Sequence, residues 1–166
     1  INVEAGSTDY AEGGLRIHSK QRGVPLWSNP KLIFNDSRLE VDATKEKGSD
    51  NNLFGIICRY QDGLNFYALL ISSEGYYGVV KVVDGQGPAL VDMASLGSSE
   101  AIQRGQTTNH LRADCAGTRL ALYVNDRLLI SVNDTTFSAG DVGLLAVAFE
   151  VPGVEVFFDN FSVRNP

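Results

Sequence analysis

The sequence predicts an all-β protein: two antiparallel sheets packed as a jelly-roll sandwich, with almost no helix. Three observations predict it. Apolar and polar residues alternate with period two in run after run, and the runs are rich in Val, Ile, Tyr and Phe. Two-residue turn signals separate the runs at regular spacing, as in sandwiches and barrels rather than βαβ units.

The elements follow in order. GLRIHS (Gly14 to Ser19) alternates as an early strand, and SRLEVDATK (Ser37 to Lys45) alternates after the turn-like Asn35-Asp36. LFGIICRYQ (Leu53 to Gln61) leads through Asp62-Gly63 into NFYALLISS (Asn65 to Ser73). Glu74-Gly75 then leads into YYGVVKVV (Tyr76 to Val83). Asp-Gly is a strong hairpin signal because both central positions of a type I′ turn need positive φ. Gly85-Gln86-Gly87-Pro88 reads as a turn, since no helix follows to make it a phosphate cradle. Pro88 to Leu96 is a weaker strand, and Gly97 to Gly105 an irregular loop with room for one helical turn at Ser99-Gln103. Thr107 to Cys115, Arg119 to Val124 and Leu128 to Asn133 form a second meander around Asn125-Asp126. Val142 to Glu150 and Val154 to Val163 close a set of about ten to twelve strands.

Composition bounds the rest. A chain of 166 residues that is 43% apolar and 20% charged can bury one substantial core, so residues 1–166 read as one domain. A net charge of −6 argues against nucleic acid and anionic membranes as partners, because both select a basic patch. No apolar run is long enough to cross a bilayer, which excludes direct membrane insertion by a helix. A chain opening at Ile1 without a signal peptide reads as a mature or excised piece of a larger exported or surface-tethered protein. Oligomeric state has no signature here.

Cys58 shares a strand side with Phe54, Ile56 and Tyr60, and Cys115 shares one with Leu111 and Ala113. Both therefore face the core side, where a Cys58–Cys115 disulfide forms if their strands are neighbours; two buried thiols are the alternative. The disulfide is the expectation, as in exported β-domains.

If both central turns have two residues, Cys58 faces Tyr67 and Ile71 faces Gly78. One sheet face then collects Phe54, Ile56, Cys58, Tyr67, Leu69, Ile71, Val80 and Val82 as core. Arg59, Phe66, Tyr77 and Lys81 occupy the other face. Arg112 joins them there, with His110 and Asp114, if the Cys115 strand belongs to the same sheet.

The string FGIICRYQDGLNFYALLISSEGYYGVVKV resembles the central meander of concanavalin A-like (laminin-G-like) domains of bacteria. SSEAIQRGQTTNHLRADCAGTRLALYVNDRLLISVND, FSAGDVGLLA and VEVFFDNFSV extend the resemblance over roughly residues 10 to 164. It lies nearest to secreted modules grouped with 3-keto-disaccharide hydrolase-like domains. The matching motifs are Asn125-Asp126, the corner from Gly140 to Leu144, and Phe158-Asp159-Asn160-Phe161. They mark architecture more than activity, because this fold hosts lectins, glycanases and adhesion modules. The chain departs from the pattern at its opening, where it starts after the Asp-Phe-rich strand that pairs with the last one or carries a degenerate version of it.

Retaining glycanases of this fold carry Glu-x-Asp and a second Glu on one strand, with the two catalytic carboxyls about 5–5.5 Å apart. Glu40 and Asp42 match the first part and share a strand side, but Glu46 comes too late. Acidic residues alternating with Val41 and Ala43 also describe a solvated strand face. No Gly-x-Ser-x-Gly elbow exists, and two His with two Cys at unrelated spacings make no zinc site. The resemblance implies a possible structural calcium, with Asp159 the leading ligand and Gly48 to Asn52 a second oxygen-rich loop; such residues are also ordinary turn formers.

The resulting expectation is a non-catalytic, extracellular or cell-surface module that binds a saccharide or surface glycan. Arg59, Phe66, Tyr77, Lys81 and Arg112 would be its binding face, by ring stacking and planar hydrogen-bonding groups. The alternatives are a glycoside hydrolase using Glu40 and Asp42, and a structural or protein-interaction domain. Sequons at Asn35, Asn133 and Asn160 suit an exported protein from a glycosylating source.

Overall fold

A computed structural model describes residues 4–90 and 97–166, and among them there are strands, turns and bends but no helix. The first sheet is ordered β1 (Gly6–Ala11), β2 (Gly14–Ser19), β14 (Val154–Arg164), β4 (Ser37–Gly48), β10 (Thr108–Ala116), β11 (Arg119–Val124), β12 (Arg127–Asn133). The second is ordered β3 (Leu26–Ser28), β13 (Asp141–Ala148), β5 (Asn52–Asp62), β6 (Asn65–Ile71), β7 (Tyr76–Val83), β8 (Gln86–Leu90), with β9 (Gly97–Ser98) also on β7. Neighbours pair antiparallel throughout, for instance β14 with β2 and β5 with β6.

Strict alternation along β4 sets the layers. Leu39, Val41 and Ala43 are fully buried, while Arg38, Glu40, Asp42 and Thr44 between them face out. Phe54, Ile56, Cys58, Tyr67, Leu69, Ile71 and Val79 meet that face from the second sheet. Cys58 and Cys115 form a disulfide. They lie on β5 and β10, so the bond crosses the interior from one sheet to the other and does not join neighbouring strands. β10 belongs to the first sheet, which places Arg112 on the opposite side of the molecule from β6 and β7.

The central hairpins depart from the expected turns, the first by a two-residue turn at Gly63-Leu64 rather than Asp62-Gly63 and the second by a longer loop, and each departure moves side chains. Asp62 pairs with Asn65, yet Cys58 still faces Tyr67, because β5 sets Arg59, Tyr60 and Gln61 opposite the single Phe66. This bulge turns Arg59 inward, with φ 52°, and leaves it 2% exposed, not on the outer face. The next loop has three residues: Ser72 N–H donates to Tyr76 O, and Gly75 takes φ 98°. Ile71 therefore faces Tyr77, not Gly78, and β7 is flipped. Val80 joins an apolar layer on the outer side with Phe66, Val82, Trp27 and Tyr60, whereas Val79, Tyr77 and Lys81 take the inner side.

Three smaller expectations also change. The weaker strand begins as β8, and its residues 91–96 lie outside the described residues. Ser99–Ile102 is a turn, closed from Ile102 N–H to Ser99 O at 3.4 Å, rather than a helical turn. The last strand does have an early partner, because β14 pairs with β2.

Candidate functional site

A cleft opens at the loop end of the sandwich, where the β5 bulge, the β10–β11 turn and residues 134–140 meet. The bulge aims the Arg59 guanidinium at its floor. Arg59 Nη1–H donates to Phe137 O at 3.1 Å, and Nη2–H donates to Asp36 Oδ1 at 3.3 Å. Its Nε–H is buried without a hydrogen-bond partner. Asp36 is the only carboxylate paired with this guanidinium among the described residues, and its side chain is 55% exposed. Asp36 also accepts from Gly117 N–H at 2.9 Å, which ties it to the β10–β11 turn. Gly140 makes the close approach possible: a Cβ there would lie 2.4 Å from the backbone of Arg59.

One wall is braced from inside. Tyr67 donates its hydroxyl proton to Asp134 Oδ1, Lys81 Nζ donates to Asp134 Oδ2 at 2.7 Å, and Phe137 N–H donates to the Tyr67 oxygen at 3.1 Å. Burial pushes the Asp134 carboxyl up, but Lys81 and Tyr67 outweigh it and hold it far below the usual carboxylate range. Burial, with the Asp134 hydrogen bond, raises the Tyr67 phenol. The cleft has a volume of about 340 Å³, and Thr118, Thr135, Ser138 and Phe137 complete its walls. Arg59 pairs with Asp36 on the cleft's floor and Lys81 neutralises Asp134 from behind its wall, so the cleft carries no excess charge. Such a site suits a neutral ligand rich in hydroxyls.

The five residues expected on one face are dispersed. Arg59 lines this cleft, and Lys81 braces its wall from behind through Asp134 and Thr136, on the inner side that the bulge and the flipped β7 give them. Tyr77 packs on the core and against Gly97, where an added Cβ would lie 2.6 Å from its ring. Phe66 faces outward as expected but is buried against Trp27 and Tyr60, with ring centroids 6.0 and 5.8 Å away. Arg112 lies on the first sheet's outer face, its guanidinium 4.2 Å over the Tyr123 ring. Sequence reasoning missed Asp36, Asp134 and Phe137. Their one signal was their place in turn segments beside strand ends.

Glu40 and Asp42 share the outer face of β4 as expected. His110 stands between them, with Nδ1 2.7 Å from Asp42 and Nε2 3.1 Å from Glu40. Arg164 donates to Glu40 at 2.5 Å, and Asn160 to Asp42 at 2.8 Å. The hydrogen bonds from His110 and Asn160 hold the Asp42 carboxyl below its ordinary value, opposite to what a proton donor needs. Burial pulls the His110 imidazole down, but Asp42 and Glu40 outweigh it and keep it raised.

The calcium candidates do not fit a cation site. Asp159 Oδ1 accepts from Asn160 N–H, and Asp50 is taken by Lys45 Nζ at 2.6 Å. Asn52 is bonded to Ser49 and Ser73. Among the described residues no three His, Cys, Asp or Glu side chains gather to hold a metal. A further cleft of about 310 Å³ carries the exposed rings of Tyr10 and Phe161, but Asn29 there donates to Val142 O and the Tyr10 hydroxyl meets Ser28.

No family model and no curated protein matches the chain by sequence. Solved structures do match. A carbohydrate binding module, CBM66 from Bacillus subtilis, superposes with a TM-score of 0.79 at 20% identity, over 96% of this chain and 92% of that one. The chain has a galectin-like, concanavalin A-like fold. Sheep galectin-11, in complex with glycerol, gives 0.58 at 11% identity over 84% and 97%. The exoplasmic/lumenal domain of VIP36, in a Ca2+/Man3GlcNAc-bound form, gives 0.66 at 11% over 97% and 83%. At these identities the likeness concerns the fold.

Proposed function

We propose that this chain is a non-catalytic saccharide-binding module that takes its ligand in the Arg59 cleft. One observation carries the reading: a buried guanidinium, incompletely satisfied by the protein, lies beside Asp36 beneath a rim of hydroxyls. An ordinary buried cation is fully paired. Here spare Arg59 donors and the Asp36 and Asp134 acceptors can bind adjacent hydroxyls of one sugar ring, and Phe137 offers an apolar edge. The positive φ of Arg59 is the kind of local strain that collects at ligand sites. The names of two neighbours, a carbohydrate binding module and a galectin, support the same class. The disulfide supports an exported, extracellular or cell-surface setting.

A glycan array read together with release of reducing ends tests this. Binding without turnover is expected, and Asp36→Asn and Ser138→Ala should each weaken it, Ser138→Ala with a melting temperature close to that of the parent. Turnover that disappears in Glu40→Gln would replace this reading with a hydrolase. Silence in both assays would replace it with a structural or protein-interaction domain.

A further inference from the structure

We propose a second site, for an oxyanion, on the outer face of the first sheet, where Arg38, Arg112 and Arg119 converge on Asp114. Arg38 reaches Asp114 through Nε at 2.8 Å and Nη2 at 3.1 Å. Arg112 does the same at 3.1 and 2.6 Å. Two forked guanidiniums thus occupy both oxygens of a side chain that is only 5% exposed. Arg119 comes third, at 3.9 Å, and has no nearer carboxylate among the described residues. Its Nε–H and Nη2–H donate instead to Ser131 Oγ at 3.0 Å and to the Tyr123 hydroxyl at 3.1 Å.

One carboxylate therefore faces three guanidiniums, so positive charge is in excess around Asp114. Glu40, the cross-strand partner of Arg112, attracts both Arg112 and Arg38, but it is shared with His110 and Arg164, which bond it directly. The excess sits on one sheet face of a chain whose net charge is −6. Like charges on neighbouring strand positions are costly unless an anion joins them. The guanidinium planes are also fixed in advance: Arg112 rests on the Tyr123 ring, and Arg119 is bonded to that ring's hydroxyl. A fixed fork is the geometry that binds a sulfate or carboxylate group through paired N–H donors.

The face is a sheet surface, so the ligand is an acidic group borne on a polymer. That the polymer is a saccharide rests on the module reading above; the acidic group is then a sulfate ester or a uronate carboxylate. Calorimetric titration of the intact chain with sulfated oligosaccharides, oligogalacturonate and neutral galacto-oligosaccharides separates the possibilities, with Arg112→Gln and Arg119→Gln in parallel. One acidic class should bind, weaken roughly tenfold in each variant and weaken further with added salt. Which class binds identifies the source. Acidic-saccharide binding that ignores both substitutions overturns the proposal, and so does the absence of any acidic-saccharide binding. Neutral binding with no acidic preference overturns it while leaving the Arg59 cleft intact. Acidic binding that depends on Arg119, without any neutral binding, upholds this site and removes the cleft's.

Discussion

Cys58 and Arg59 are consecutive residues that both point into the sandwich, which a regular strand forbids. The bulge that permits this sets a disulfide beside a buried cation: Cys58 reaches across to Cys115, and Arg59 turns toward Asp36 and Phe137. One irregularity in β5 thus supplies both a covalent link between the sheets and the floor of the candidate cleft.

Asp36 should matter more than its exposure suggests. Asp36→Ala leaves Arg59 buried without its carboxylate, at an expected cost of about 1–3 kcal/mol in urea unfolding. Adding Arg59→Met to that variant should recover part of the loss, because the stranded charge goes with it. Equal costs of Arg59→Met in both backgrounds would show that the pair is uncoupled.

Lys81 discriminates between the two possible faces of β7. Lys81→Ala should lower stability by about 1–3 kcal/mol, because it removes a donor from the half-buried Asp134. Lys47→Ala, at an exposed position, should stay within about 0.5 kcal/mol. Similar values for the two would return Lys81 to the surface.

Reduction of Cys58–Cys115 opens a link between residues 57 apart in sequence. The chain-entropy model gives roughly 4 kcal/mol for a loop of that length. Cys58→Ala/Cys115→Ala should show a drop of that order in denaturant. An unchanged midpoint would mean that packing alone fixes the sheets.

Stability should fall on both sides of mildly acidic pH. Burial pushes the Asp114 carboxyl up, but Arg112 and Arg38 outweigh it and bring it from 3.8 down to about 2. A lowered carboxylate stabilises above its unfolded pKa, so this contribution disappears as pH falls from 3.8 through about 2. Asp42 and Asp134 act in the same direction. His110 is raised, so its contribution is complete below the unfolded value of about 6.5 and is lost as pH climbs through the folded value. Melting temperatures against pH should therefore decline above about 6.5, and His110→Gln should flatten that limb alone. A limb that is the same in the variant would assign it to another group.

The strand pattern made most of the fold legible, and the parity of Cys58 and Cys115 pointed both to the core. Glu40 and Asp42 fall where alternation puts them. Loop length was the weak link, because Ser73, Glu74 and Gly75 form a three-residue turn where Glu74-Gly75 alone looked sufficient. That one residue exchanged the sides of Tyr77, Lys81, Val80 and Val82. The Arg59 bulge left no local trace, since it reconciles two registers that are set elsewhere along β5. Asp36, Asp134 and Phe137 come together only through long-range packing, and no spacing along the chain encodes that.

The position of β14 governs when the first sheet can exist at all. It lies between β2 and β4, and among the described residues it supplies the strand pairing that joins the β1–β2 ribbon to the rest of that sheet. Its partners therefore wait, with open edges, until Val154–Arg164 have left the ribosome, so the sandwich closes after synthesis of its last strand and not during it. Folding is accordingly a slow, non-local event, and loss of β14 would leave the β1–β2 ribbon without its strand partner in the first sheet, with β4 a bare edge ready to recruit a strand from another chain.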